Sequence, residues 1–250
     1  LIPSDVGRPL SDLAGRIEYP EMMRDAQRAS DQLEQSNREV RAGDRWFLAR
    51  VLPYRTADDR IGGVVFTFLD ITSRRLAESA LRELLRQAPG ESRARQLLGV
   101  TLLELQRPAE ALAQFDAIAA HMPSPQLHFN RAIALRAIGR DAEALAAFEN
   151  AVALAPDIVS AWEQIGRLRL QLERNEAAIE ALQRAIALQP RRAATHNELG
   201  VALHRLGRTE AALAAFDAAL ALQPADADAL NNRGNALHDL RHMHEALACF

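Results

Sequence analysis

The stretch "WEQIGRLRLQLERNEAAIEALQRAIALQP", residues 162–190, has the periodicity of two helices followed by a proline. Residues three and four apart share one face of a helix, so Trp162, Ile165 and Gly166 lie near one side of the first helix. The glycine lets a partner backbone come close, and Pro190 ends the second helix because proline cannot continue it. The stretch therefore predicts a helical hairpin in which small residues of one helix meet large residues of the other.

This hairpin recurs along the chain at a nearly constant interval. The closing prolines are 33, 34 and 34 residues apart, and a fixed period of this kind is typical of a solenoid of stacked repeats. These prolines are Pro123, Pro156, Pro190 and Pro224, and the large residues eight positions earlier are Phe115, Phe148, Leu182 and Phe216. The small residues in phase are Gly99, Ala132, Gly166, Gly200 and Gly234 in the first helices, and Ala111, Ala144, Ala178, Ala212 and Ala246 in the second helices.

A polar residue recurs between the two helices of each repeat. Asp141, Asn175 and Thr209 occupy the same register, and each has a side-chain oxygen that can accept from the free N–H groups of a helix start. We expect these residues to be the N-caps of the second helices. Pro108 holds that register in the first repeat, where its fixed φ suits a helix start.

The combined pattern W-x2-[LI]-G, then Ala, a large residue, Ala and Pro, resembles the tetratricopeptide repeat. The resemblance implies a mainly α fold, an α-solenoid of helical hairpins, with five repeats over residues 92–250 and the last one truncated. Ile118 and Arg169 depart from the usual residues at their positions. In the third repeat the pattern is carried by Trp162, Ile165, Gly166, Ala178, Leu182, Ala185 and Pro190.

Tetratricopeptide hairpins stack so that their first helices line an inner groove, and the resemblance implies a protein or extended peptide as the partner in that groove. Side-chain amides suit this role because each offers a donor and an acceptor to a peptide backbone. The alternative is that these positions are only solvated. The predicted groove residues are Phe129, Asn130, Glu163, Arg167, Asn197, His204, Asn231, Asn235 and His238, with Ile133, Arg136, Leu170, Val201 and Asn232 near them.

Residues 1–72 have a different pattern. "RWFLARVLPYRT" and "VVFTFLDI" are β-branched and aromatic runs separated by a turn, which predicts a hairpin of long strands. With "LIPSDVGRPLSDL" and the junction Asp70-Ile71-Thr72, this region resembles the C-terminal part of a PAS domain, and more narrowly that of chemotaxis methylesterase/methyltransferase hybrid proteins. The resemblance implies a small, partial α+β PAS region whose opening strands and helix are missing, so we expect an excerpt of a longer protein. It carries no histidine or cysteine, and no cofactor is expected.

Residues 73–91 are predicted to form a connecting or capping helix, with Thr72 or Ser73 as its N-cap. Two interpretations stay open. The helix stacks on the first repeat and covers its apolar face, which we favour, or it forms a coiled-coil-like seam that transmits a signal. The seam residues are Ala77, Leu81, Leu84 and Ala88.

The composition excludes several classes of function. The chain has no lysine, which removes phosphate-loop, Schiff-base and kinase lysines together. A net charge of −3 and the lack of a long apolar run argue against nucleic acid and membrane as partners. Cys249 is the single cysteine and no signal segment opens the chain, so the cytoplasm is the expected compartment. His238, His242 and His244 lie near it in sequence, but His242 and His244 fall at the predicted turn and Cys249 on the second helix, so four ligands would need to converge from diverging directions and we predict no metal site.

These observations together predict a non-catalytic scaffold or adaptor that binds proteins or peptides in bacterial signal transduction. Two alternatives remain. In the first alternative, the chain is the regulatory part of a larger enzyme, with either a chemotaxis methyltransferase upstream or a glycosyltransferase downstream. The glycosyltransferase is considered because "ALNNRGNALHDL" resembles repeats in bacterial relatives of the peptide O-linked N-acetylglucosamine transferases. In the second alternative, the chain is a small-molecule sensor that acts through the PAS region.

Overall fold

The computed structural model describes residues 17–55, 61–242 and 246 of the chain. The described residues form eleven α-helices and three β-strands, in the order α1, β1, β2, β3 and α2–α11. The first elements are α1 (Met22–Gln32), β1 (Ser36–Ala42), β2 (Arg45–Arg55), β3 (Ile61–Asp70), α2 (Thr72–Gln87) and α3 (Ser92–Glu104). The remaining helices are α4 (Pro108–Ala119), α5 (Pro125–Ala137), α6 (Asp141–Leu154), α7 (Val159–Gln171), α8 (Asn175–Leu188), α9 (Ala193–Arg205), α10 (Thr209–Leu222) and α11 (Ala227–Asp239).

The chain divides into two compact units, Leu1–Arg107 and Pro108–Phe250, which we call the N-terminal unit and the C-terminal unit. In the N-terminal unit the three strands form an antiparallel sheet in the order β1-β2-β3. Helix α1 packs on one face of the sheet, over a core that includes Met22, Val40 and Val51. Because successive side chains of a strand point to opposite faces, Leu48 lies on the other face, where it packs against Ile71.

The junction between β3 and α2 is held by side-chain hydrogen bonds. The Oδ1 atom of Asp70 accepts from the backbone N–H of Thr72 (2.9 Å) and from its hydroxyl (2.6 Å). The hydroxyl oxygen of Thr72 in turn accepts from the backbone N–H of Trp46 on β2 (2.9 Å). Helix α2 begins at Thr72, and Ile71 at its N-cap position makes no side-chain cap. The expectation that Thr72 or Ser73 is the N-cap was therefore wrong, and Asp70 satisfies the first N–H group instead.

A buried carboxylate joins the helical part of the N-terminal unit. Glu78 on α2 is 4% exposed and accepts from Arg75 (2.6 Å), Arg82 (2.9 Å) and Arg107 (2.8 Å). The Arg75 guanidinium also lies over the Trp46 ring, 4.8 Å from its centroid. Burial alone raises the pKa of a carboxyl group, but the three arginines outweigh it and the pKa of Glu78 is lowered. Helix α2, which also packs along α3, is thereby fixed to strand β2 and to the residue that precedes α4.

In the C-terminal unit each helix packs on the next along the chain. The large residues predicted to face small ones, Phe115, Phe148, Leu182 and Phe216, are all fully buried. A Cβ atom placed on Gly166 would lie 2.6 Å from Cγ of Leu182, and one on Gly200 would lie 2.6 Å from Cδ1 of Phe216. The predicted packing of small on large residues is confirmed, because only glycine lets these helices approach so closely.

The turn inside each hairpin has the geometry of a Schellman motif. After α5, the N–H of Gly139 donates to the carbonyl of Arg136 (3.0 Å) and the N–H of Arg140 donates to that of Leu135 (2.9 Å). The second residue after the helix has a positive φ, 77° at Gly139 and 73° at Gly207, and the same position in the third repeat is Glu173, with a φ of 58°. A left-handed conformation at a residue with a Cβ atom costs about 1–2 kcal/mol.

This turn changes where the second helices begin. Helices α6, α8 and α10 start at Asp141, Asn175 and Thr209, so the arginines before them hold the N-cap positions. The Oδ1 atom of Asn175 is buried and has no hydrogen-bond partner. The prediction that these three residues are N-caps was therefore wrong, because the Schellman turn shifts the helix start. Pro108 is the first residue of α4, as predicted.

Candidate functional site

Helices α5, α7, α9 and α11 are the first helices of successive hairpins in the C-terminal unit. Side chains of these four helices contact one another on one side of the unit, and we call this surface the first-helix face. Side-chain hydrogen bonds link each helix to the next on this face. Arg136 on α5 donates to Gln164 on α7, and Arg167 on α7 donates to Glu198 on α9. On the last pair, the amide of Asn232 donates to that of Asn197 (3.0 Å). The face is a continuous row of polar side chains across four helices.

The middle of this row is an incompletely paired group of charges. The Nε atom of Arg167 donates to Oε1 of Glu198 (2.8 Å), and a second nitrogen of the same guanidinium donates to the same oxygen. The other oxygen of Glu198, Oε2, is buried and has no hydrogen-bond partner. Burial raises the pKa of Glu198 and the charge of Glu163 raises it further, while the hydrogen bond from Arg167 acts in the opposite direction. Glu198 is therefore less acidic than an ordinary glutamate.

Glu163, one of the predicted groove residues, is held between α7 and α9. Its side chain accepts from the hydroxyl of Thr195 (2.5 Å) and from Nε of Arg192 (3.0 Å), and the residue is 7% exposed. Both contacts reach the Oε1 atom of the carboxylate. Its contact with a peptide stays a prediction.

The predicted residues on α5 lie at one end of the row. Phe129 is half-buried, and its ring meets that of Phe148 edge to face with centroids 5.4 Å apart. Asn130 is also half-buried and accepts from the side-chain amide of Gln126 (2.9 Å). Phe129 therefore presents an apolar ring that is anchored on the buried core beneath it.

The opposite end of the row is rich in amides and contains a histidine–carboxylate pair. His204 Nε2 lies 2.9 Å from Oδ2 of Asp239, and this contact lowers the pKa of Asp239. Asn197 is half-buried and is bonded to Asn232. Three further predicted residues lie exposed on α11, namely Asn231, Asn235 and His238.

Two members of the row, Gln164 and Glu198, were not among the predicted groove residues. Each follows a predicted position, Glu163 or Asn197, by one residue. Asn130 and Asn232, which were noted, stand at the same position of their own repeats, so the period of the repeat contained the signal. The residue type at this position is not constant, because it is an amide in three repeats and a glutamate in the fourth repeat, and this change hid the position.

Among the residues that the structure describes, no group of three or more His, Cys, Asp or Glu side chains is arranged to hold a metal ion. Two members of the histidine–cysteine cluster considered from the sequence, His244 and Cys249, lie outside the described residues. No helix in the described part of the chain is long and apolar enough to cross a membrane.

Comparison with known families agrees with both parts of the fold. Tetratricopeptide repeat models match residues 67–125, 163–227 and 205–250, and a second model of the same repeat matches residues 125–158. A PAS domain model matches residues 1–72. The chain belongs to the tetratricopeptide repeat family, with a PAS domain before the repeats.

Individual known proteins are similar to parts of the chain. The chain is 43% identical over 72 residues to an uncharacterized 104.1 kDa protein in the hypE 3′ region of Rhodobacter capsulatus, and it spans 8% of the length of that protein. The solved structure of MamA residues 41 to the end from Desulfovibrio magneticus has a TM-score of 0.62 and 22% identity, and the match covers 64% of this chain and 92% of that one. YrrB, a TPR protein with an unusual peptide-binding site, has a TM-score of 0.62 and 21% identity, covering 69% and 89%. These structural likenesses show the solenoid fold.

Proposed function

We propose that the chain is a binding scaffold whose first-helix face holds an extended segment of a partner protein. The observation that carries this proposal is the row of half-buried polar side chains across α5, α7, α9 and α11, with the ring of Phe129 at one end. Side chains of this kind retain hydrogen-bonding capacity beyond the single bond that each makes to its neighbour. Asn197 and Asn232, for example, use one donor and one acceptor between them and keep their other amide groups.

An extended peptide suits this row for a geometric reason. Packed helices lie about 8–10 Å apart, and an extended chain rises about 3.3 Å per residue, so one helix spacing corresponds to about three peptide residues. A peptide that crosses the face therefore meets a new group of side chains at about every third residue. YrrB, which has the same fold, is a protein with a peptide-binding site, and this supports a peptide as the occupant.

The PAS domain before the repeats supports a place in signal transduction, in which the repeats deliver or assemble the partner. The Rhodobacter capsulatus relative supports a bacterial setting. That relative is a 104.1 kDa protein, which also favours a second candidate: the scaffold is the regulatory part of a larger enzyme. The sequence of the neighbouring coding region distinguishes the two, since an S-adenosylmethionine or nucleotide-sugar domain in the same reading frame supports the second.

Selection of binders from a random linear peptide library on the immobilised chain tests the proposal. We expect selected peptides to bind, and the triple variant N197A/N231A/N235A to bind them more weakly while its far-ultraviolet circular dichroism is unchanged. The matched control is Asn150→Ala, an exposed asparagine on α6, a second helix. If no peptide is selected, or if Asn150→Ala weakens binding as much as the triple variant, the proposed site is wrong.

A further inference from the structure

Four side chains at the middle of the first-helix face form a cluster whose pairing is unbalanced. The cluster consists of Arg136 on α5, Gln164 and Arg167 on α7, and Glu198 on α9. Arg136 donates to the neutral amide of Gln164, and no carboxylate in the described part of the chain makes a salt bridge with it. Arg167 directs two of its nitrogens to one oxygen of Glu198. The cluster thus contains two guanidinium groups and one carboxylate, and the charge of each arginine acts to lower the pKa of Glu198.

The cations of this cluster are the groups that a ligand meets first. The side chain of Arg167 is 39% exposed, whereas that of Glu198 is 19% exposed and its Oε2 atom is buried. The other nearby carboxylate, Glu163, is already occupied by Thr195 and Arg192. A guanidinium carries five N–H donors, so both arginines keep donors that point to no carboxylate. The surface presented by the cluster is therefore cationic, although the whole chain has a net charge of −3.

Glu198 pairs with Arg167 but does not use the hydrogen-bonding capacity of this guanidinium fully. A well-formed arginine–carboxylate pair uses two parallel hydrogen bonds, one to each oxygen, whereas here both donors reach the same oxygen. Burial raises the pKa of Glu198, so the free energy needed to neutralise its charge is smaller than for an ordinary glutamate. A carboxylate brought by a ligand can accept from both arginines and displace this weaker internal partner.

The cluster spans α5, α7 and α9 and leaves part of the first-helix face to other residues of a peptide. On one flank, Phe129 and Ile133 precede Arg136 along α5 by about two turns and one turn, and on the other the Asn197–Asn232 amide pair continues the row onto α11. A peptide that ended at the cluster would leave one of these flanks empty. An acidic residue inside the peptide lets the chain continue in both directions.

From this arrangement we propose that Arg136 and Arg167 bind the side-chain carboxylate of an internal Asp or Glu in an extended partner peptide, in competition with Glu198. The inference rests on the proposed function, because it names the chemistry of the partner at the same face. It also places an apolar residue of the peptide near Phe129, about three residues from the acidic one, since Phe129 precedes Arg136 on α5 by seven residues, about 10 Å along the helix.

The random-peptide selection on the full chain provides the test, read out as the composition and position of the selected residues. We expect Asp and Glu to be enriched at internal positions, about three residues from an aromatic or aliphatic residue. In titrations with one selected peptide, Arg167→Gln and Arg136→Gln should each weaken binding by roughly 10- to 100-fold, because hydrogen bonds between charged groups are lost. Replacing the acidic residue of the peptide by its amide should cost at least as much as either single change, and it should add little in the double variant R136Q/R167Q.

Two further variants sharpen the test. Glu198→Gln should strengthen binding by about 2- to 5-fold, because it removes the competing carboxylate. Arg131→Gln is the matched control, since Arg131 lies on α5 but pairs with Asp116 (2.6 Å) away from the cluster, and binding should not change.

The outcomes separate this inference from the proposed function. Peptides that bind but show no acidic enrichment, or that require a free C-terminal carboxylate, overturn the inference and leave the proposed function intact. Weaker binding in Glu198→Gln also contradicts it, because Glu198 would then contact the peptide directly. If no peptide is selected, both fail together.

Discussion

The close contact between Gly200 and Phe216 predicts that Gly200→Ala destabilises the C-terminal unit. A methyl group at position 200 would lie 2.6 Å from Cδ1 and 2.8 Å from Cζ of a ring that is fully buried. Overpacking of this kind costs about 1–3 kcal/mol, whereas alanine is favoured over glycine in a helix by about 0.5–1 kcal/mol. We therefore expect the free energy of unfolding to fall by about 1–2 kcal/mol.

Gly166→Ala is the matched comparison, because the same position in the preceding repeat faces Leu182. The added methyl group would lie 2.6 Å and 2.7 Å from Cγ and Cδ2 of a leucine side chain, which can turn aside more easily than a planar ring. The helix preference for alanine then offsets most of the clash, and we expect a loss of less than about 1 kcal/mol. Urea unfolding followed by circular dichroism measures both variants.

A double variant separates the ring contact from other effects. Phe216→Leu makes the Gly200 pair resemble the Gly166 pair, so G200A/F216L should be less unstable than the sum of the two single changes by about 1 kcal/mol. Equal effects of Gly200→Ala and Gly166→Ala, or strict additivity in the double variant, would refute the idea that the ring sets the helix spacing here.

Four other substitutions test the structure elsewhere in the chain. Glu173→Gly should raise the free energy of unfolding by about 1 kcal/mol, because the residue has a left-handed conformation, and Gly207→Ala should lower it by a similar amount; urea midpoints of both variants check this. Glu78→Gln should lower the free energy of unfolding by about 2–3 kcal/mol, because three arginines lose their shared carboxylate. An unchanged urea midpoint would show that these ion pairs are not stabilising. Hydrogen bonds from Thr72 and Arg45 lower the pKa of Asp70 to about 2, so its contribution is complete above about pH 4 and is lost as the pH falls toward 2. The difference in melting temperature between the natural chain and Asp70→Asn should therefore be constant near neutral pH and shrink in that acidic window, and a difference independent of pH would contradict it.

Features that repeat could be predicted from the sequence, because periodicity reports which residues share a face. Pairs such as Gly166 with Leu182 and Gly200 with Phe216 follow from their spacing alone, and the structure confirms them. The helix starts could not be predicted as well. A Schellman turn after the first helix sets the start of the second, and at Glu173 that turn occurs without the glycine that normally indicates it.

Features that occur once were harder to find. Glu78 stands among arginines on a helix, a pattern that is typical of a solvated face, and its burial depends on where Arg107 lies in space. The same holds for Glu198, whose chemistry depends on Arg167 from the neighbouring helix, 31 residues away. Repeat position identifies candidates of this kind, but only the packed helices show which charges share a partner.

Amide chemical-shift mapping of the isotopically labelled chain with one selected peptide shows whether an extended peptide binds the first-helix face. We predict that the shifted amides lie on α5, α7, α9 and α11, with the largest changes near Arg136, Arg167 and Asn197. Shifts concentrated on α6, α8 and α10, or in the N-terminal unit, would contradict the account.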